Sequence, residues 1–200
     1  MEAIKKIELN KVAKIVSVAL LGTLLLTISA KIKIPFFPVP MTMQTFVVLF
    51  IGITLGPRIG LLTISLYLFE GIFGLPVFAG TPEKGIGLVY FTGPTMGYLV
   101  GFLIATYLAG TFKYKNCLNK NIFTYLIIKE ITINILINFI KLVIAVSFIY
   151  MFGLIWLGFI IGWDKPIFQL GMLPFLPAEL FKLLILSIIS GSLSKIKKII

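Results

Sequence analysis

Pro174-Phe-Leu-Pro-Ala-Glu-Leu-Phe-Lys182 puts a carboxylate, Glu179, and an ammonium, Lys182, three residues apart in a stretch that is otherwise hydrocarbon. On a helix that spacing places both on one face, one turn apart. Leu183, Leu184, Ile185, Leu186, Ile188 and Ile189 follow. Such a run belongs in a bilayer, where a charge is costly unless it is paired or faces a polar cavity. Two readings follow: a self-satisfied ion pair that locks the helix in place, or half of a binding site whose cavity the rest of the chain supplies.

The 200 residues are 59% hydrophobic and 12% charged, with a mean hydropathy of +1.10. A soluble domain averages about 45–50% apolar and about 25% charged. The excess is more than a core can hide, so the chain reads as an all-α integral membrane protein. Its length allows roughly six spans of about 20 residues with short loops. The expected architecture is a six-transmembrane-helix bundle with an outward-facing lid loop, one transmembrane domain over residues 1–200. There is no histidine, the commonest metal ligand and acid–base group near neutral pH. No Gly-x-x-x-x-Gly-Lys-Ser/Thr phosphate loop and no His-Glu-x-x-His occur. The chain is therefore read as no enzyme, binding no cofactor or metal. Cys117 is the single cysteine, so no intrachain disulfide forms.

Helix 1 is expected from about Val12 to Ala30, retained rather than cleaved as a signal peptide. It carries Ala19, Thr23 and Thr27 at four-residue spacing. Small residues so placed let another helix approach closely, from the same chain or a partner. Pro35, Pro38 and Pro40 exclude helix from Lys31 to Pro40. Helix 2 follows from about Met41 to Leu55, a turn at Gly56-Pro57-Arg58, and helix 3 from about Ile59 to Phe73. Leu75 to Gly93 is long, rich in Gly and Pro, yet apolar at Val77, Phe78, Ile86, Leu88 and Tyr90. Long loops of this kind are functional lids or disordered, and the apolar content favours a folded lid. Helix 4 is expected from about Pro94 to Thr111 and helix 5 from about Ile122 to Tyr150. Met151 to Leu170 reads as an interfacial segment with Trp156 and Trp163 at headgroup depth. Helix 6 runs from about Pro177 to Leu193.

With both termini on one side, that side holds Lys5, Lys6, Lys11, Lys14, Arg58, Lys113, Lys115, Lys120, Lys129, Lys195, Lys197 and Lys198. The other side holds Lys31, Lys33, Lys84 and Lys165, while Lys141 and Lys182 fall within spans. Lys and Arg concentrate on the cytoplasmic side, so both termini are expected there, in a multi-pass protein of the cytoplasmic membrane. The net charge of +11 is then a topology signal aided by anionic lipid, not a nucleic-acid surface.

This orientation puts Glu179 and Lys182 in the outer half of the bilayer, with Glu179 near a helix N-terminus that favours an anion. Glu130, Asn134, Asn138 and Lys141 share one face of helix 5, as a polar stripe for interhelical bonding or, at Asn138 and Lys141, for the same cavity. Thr42 and Gln44 start helix 2 near the outer face. Glu70 is expected at the rim, paired with Lys33 or Lys84. Phe78, Tyr90 and Tyr98 gather around the outer openings.

Five stretches carry a family resemblance: Ile34-Pro-Phe-Phe-Pro-Val-Pro-Met-Thr-Met-Gln-Thr45, Leu55-Gly-Pro-Arg58, Gly74-Leu-Pro-Val-Phe-Ala-Gly80, Gly93-Pro-Thr-Met-Gly-Tyr-Leu99 and Leu173-Pro-Phe-Leu-Pro-Ala-Glu-Leu-Phe-Lys182. In order and spacing they resemble the BioY family, the biotin-specific substrate-binding subunits (S components) of energy-coupling-factor transporters. The resemblance implies six helices, an outward biotin site, and partners comprising one transmembrane coupling subunit and two ATPase subunits, which use ATP. It also implies docking of the coupling subunit on the small residues of helix 1, here Ala19, Thr23 and Thr27. Where the family reads Pro-Gly-Asp, this chain has Pro-Ala-Glu, one methylene longer. Biotin's ureido ring offers two N–H donors and one carbonyl acceptor. Glu179 suits the donors, and Lys182, Asn138 or Gln44 the carbonyl. Lys141 or Lys84 is the expected partner of the valerate carboxylate, with Phe78, Tyr90 and Tyr98 walling the apolar part. Other vitamins, such as thiamine or riboflavin, and a ligand-free structural role remain the alternatives.

Overall fold

The computed structural model describes residues 2–83, 85–117 and 125–198, with side chains described over 10–83, 85–117 and 129–197. Helix α1 (Glu2–Lys31) includes the basic lead-in as part of one continuous helix. The proline-rich connection folds into a small antiparallel ribbon, with Lys33–Ile34 (β1) pairing Met41–Thr42 (β2). Helix α2 (Gln44–Ile72) absorbs both predicted helices 2 and 3 but is broken at Gly56, where φ is 79° and ψ is 178°. Only glycine adopts that region without a Cβ penalty, and Pro57, lacking an N–H, restarts the helix at its first turn. α3 spans Met96–Thr111, α4 Tyr125–Ile161, α5 Ile167–Gly171 and α6 Leu176–Leu193. Among the described residues, four stretches, Asn10–Lys31, Gln44–Ile72, Lys129–Ile161 and Ile167–Leu193, are long and apolar enough to cross a membrane.

The largest departure from expectation is α4. Met151 to Ile161 is not an interfacial segment but the continuation of this helix. Gly153 and Gly158 do not end it, because each faces a large ring: a Cβ at either would overlap Tyr98 or Trp163. The helix stops at Gly162, which has φ 93°. Trp156 therefore lies within the bundle, its indole N–H donating to the Gly93 carbonyl at 2.9 Å, whereas Trp163 is exposed. Residues 122–124, the expected start of helix 5, lie outside the described residues.

Glycines set the helix order. A Cβ at Gly52 would meet the Thr106 carbonyl, which brings α2 against α3, and Cβ atoms at Gly97 and Gly101 would meet the backbone of α4. Backbones that approach this closely gain dispersion and weak polar contacts where lipid supplies no hydrophobic drive. α6 packs on both α4 and α2, while α1 flanks α2. The β1–β2 ribbon and the 73–95 connection cover one end of the bundle. At the opposite end, the Lys197 ammonium donates to the Gly110 carbonyl beside the α2 break.

Candidate binding site

Near the ribbon end, α2, α3, α4 and α6 enclose a cavity of about 60 Å³. α6 enters it through Pro174 and Pro177, which shape a 3-10 turn (Leu173–Phe175) and the first helical turn. Glu179 and Lys182 therefore point inward one turn apart, 3% and 5% exposed. The Lys182 ammonium donates to the Thr42 carbonyl at 2.7 Å, to Thr45 Oγ1 at 3.0 Å and to Glu179 Oε2 at 3.4 Å. Thr45 Oγ1 donates to Glu179 Oε2 at 3.0 Å and the Tyr150 hydroxyl donates to the same oxygen at 3.2 Å. Every donor converges on Oε2. Oε1 is buried and has no hydrogen-bond partner. A carboxylate oxygen left so costs roughly 1–3 kcal/mol or more, and it offers an acceptor to whatever enters the cavity.

The predicted Thr42 and Gln44 are both in the wall. Gln44 Nε2 donates to the Tyr67 hydroxyl at 2.8 Å, which donates to the Val77 carbonyl at 2.9 Å. That chain ties the start of α2 to the 73–95 connection. Phe78, Tyr90 and Tyr98 also line the cavity. Phe78 stacks on Tyr90 with centroids 4.7 Å apart and meets Tyr67 edge-on at 5.3 Å. Burial pushes the Tyr90 phenol above its ordinary value, so it stays neutral. Tyr98 donates to the Gly171 carbonyl at 2.8 Å and meets Tyr150 edge-on.

Other expected residues lie elsewhere. Asn138 is fully buried, but it accepts from the Lys115 N–H at 3.0 Å and donates to the Lys115 and Ser187 carbonyls at 2.8 and 3.1 Å. Lys141 donates to the Lys113 carbonyl at 2.6 Å. Both serve the 113–117 segment at the far end. The reason is the length of α4: its cavity-facing part is Ile149 and Tyr150, about three turns beyond Asn138. Lys84 lies outside the described residues. Glu70 is not paired with Lys33: it accepts from the Thr23 hydroxyl at 2.9 Å, while Lys33 pairs with Glu83 at 3.9 Å. Ala19 and Thr23 are turned into the fold, 1% and 4% exposed, and Thr27 is half-buried. Leu20, Leu21, Leu24 and Leu25 form the exposed face of α1 instead.

Thr45 and Tyr150 were not singled out from sequence. Thr45 stands three residues after Thr42 in the proline-rich motif, in the first turn of α2 just after β2 ends. For Tyr150 no local signal exists, because its partner is 29 residues away.

A sequence profile of the BioY family matches residues 3–198. The probable biotin transporter BioY of Pyrococcus horikoshii is 34% identical over 170 residues, 85% of this chain and 90% of its own length. The biotin transporter BioY of Thermotoga maritima is 31% identical over 175 residues, 88% and 92% of the two chains. The crystal structure of the S-component for biotin from an ECF-type ABC transporter superposes with a TM-score of 0.68 at 26% identity, covering 93% of each chain.

Proposed function

Since the chain belongs to the BioY family, we propose that it binds biotin in the Glu179–Lys182 cavity and serves as the S component of an energy-coupling-factor transporter. The observation that carries this is Glu179 Oε1, a buried acceptor without a donor in an aromatic-walled cavity. A ureido N–H supplies the missing donor. The ureido carbonyl takes the second amide proton of Gln44, or displaces the longest of the three Lys182 contacts, the one to Glu179 at 3.4 Å. Phe78, Tyr90 and Tyr98 face the thiophane ring and alkyl chain.

At about 60 Å³ the cavity is smaller than the roughly 300 Å³ of typical small-molecule sites. Biotin enters only as a wall moves, and the 73–95 connection, which carries Phe78 and Tyr90, is the wall closed by a loop rather than a helix. It acts as the lid. The two halves of α2 make separate passes, so the chain crosses six times. Their short helical lengths are completed by ribbon and loop backbone buried against protein, which a membrane tolerates. Both termini then share one face, and the lysine distribution makes it cytoplasmic. The exposed leucines of α1 face the coupling subunit, and the ATPases of that module supply the energy.

Isothermal titration of the detergent-purified protein tests the ligand. Saturable binding of biotin, and none of thiamine or riboflavin, is expected. Glu179→Ala should weaken biotin roughly 10- to 100-fold while the protein remains folded, as removal of a charged hydrogen-bond partner does. Unchanged affinity in that variant would sink the site assignment.

A further inference from the structure

The proton count around Lys182 goes beyond the choice of ligand, though it rests on that reading. An ammonium has three protons and no lone pair. All three of Lys182 are engaged, on the Thr42 carbonyl, Thr45 Oγ1 and Glu179 Oε2. Thr45 Oγ1 must therefore accept from Lys182, which leaves its single proton for its other neighbour, Glu179 Oε2 at 3.0 Å. The direction of the chain Lys182 to Thr45 to Glu179 is thus fixed. Tyr150 adds a second hydroxyl donor to the same oxygen at 3.2 Å. With Lys182 included, Oε2 has three donors, more than the two lone-pair sites of one carboxylate oxygen, and Oε1 has none.

We infer that Thr45 is the positioning residue that sets ligand specificity: with Tyr150, it fixes the Glu179 carboxylate so that Oε1 alone faces the ligand as an acceptor for one ureido N–H. Thr45 acts through Glu179. Without its hydroxyl, Lys182 loses a partner and swings onto the carboxylate, and either oxygen can turn to the ammonium. The carboxylate then no longer presents a dedicated acceptor, and the site loses its preference for a ligand bearing an N–H at that point.

The test is a cycle between protein and ligand, read by titration calorimetry on the full chain in detergent. The two probes are biotin and the cyclic carbamate analogues in which one or the other ureido N–H is replaced by oxygen. Wild type is expected to bind one carbamate isomer roughly 10- to 100-fold more weakly than biotin, since a buried acceptor is left unmet. In Thr45→Val that preference should shrink to about threefold, with biotin itself weakened about tenfold or more. Thr45→Ser should restore both values, and Tyr150→Phe should shrink the preference in the same direction. Should Thr45→Val not fold, the serine and phenylalanine variants carry the comparison. Equal biotin affinity in Thr45→Val overturns the inference. So does a loss that is the same for biotin and carbamate, or one that serine does not restore, because those mark a merely structural role. Failure of wild type to bind biotin overturns the functional reading and this inference together.

Discussion

Asn138 has no exposed surface, and its hydrogen bonds go to the 113–117 segment and to α6. Its amide satisfies the Lys115 N–H, the Lys115 carbonyl and the Ser187 carbonyl, fastening the 113–117 segment between α4 and α6. Asn138→Ala leaves these buried groups unmet and should cost about 1–3 kcal/mol. A lower melting temperature in detergent with biotin affinity within about threefold is expected, since distant sites act additively. A large affinity loss without a stability loss would return Asn138 to the ligand. The polar stripe of α4 was legible in the sequence, because a spacing of four, four and three fixes a helical face. The neighbours of that face were not legible, because spacing says nothing of depth along the helix. Glu179 and Lys182 were legible for the opposite reason. They follow a proline-marked helix start, so both their face and their depth were fixed locally.

Among the elements, α2 and α4 show what glycine signals in this chain. At Gly56 the following proline makes the break readable, since Pro57 removes a helical donor just where the backbone turns. In α4, Gly153 and Gly158 do not break the helix but are contact points for Tyr98 and Trp163, a role that only the tertiary partner reveals. Gly71 is another such contact point. A Cβ there would overlap the Phe78 ring, which forms a cavity wall and carries the 73–95 connection. Gly71→Ala should displace that ring, weaken biotin roughly tenfold by overpacking, and leave Glu179 and its partners in place. Titration calorimetry reads the loss. An unchanged affinity would mean that Phe78 is free to move aside and that the 73–95 connection does not depend on its packing.

At the scale of the whole molecule, two ends must be assigned to two sides of a membrane, and Cys117 makes that measurement clean. The cysteine is 5% exposed, and burial pushes its thiol above the ordinary value. The thiolate is the reactive form, so a raised value means less thiolate at neutral pH and more only as pH climbs toward it. Native protein at pH 7 should therefore give little background with a membrane-impermeant maleimide, rising in alkali. Against that background, Glu83→Cys reports the ribbon end, where the Glu83 side chain is 79% exposed. Lys113→Cys reports the opposite end, at an exposed position. On intact cells Glu83→Cys should label and Lys113→Cys should label only after permeabilisation. The reverse pattern would invert the molecule, turning the 73–95 connection to the cytoplasm. It would also mean that the twelve basic residues assigned to one face do not follow the bias that orients membrane proteins. The 73–95 connection, the cavity beneath it and the leucine face of α1 are placed by a single choice of side, so this labelling pair decides all three at once.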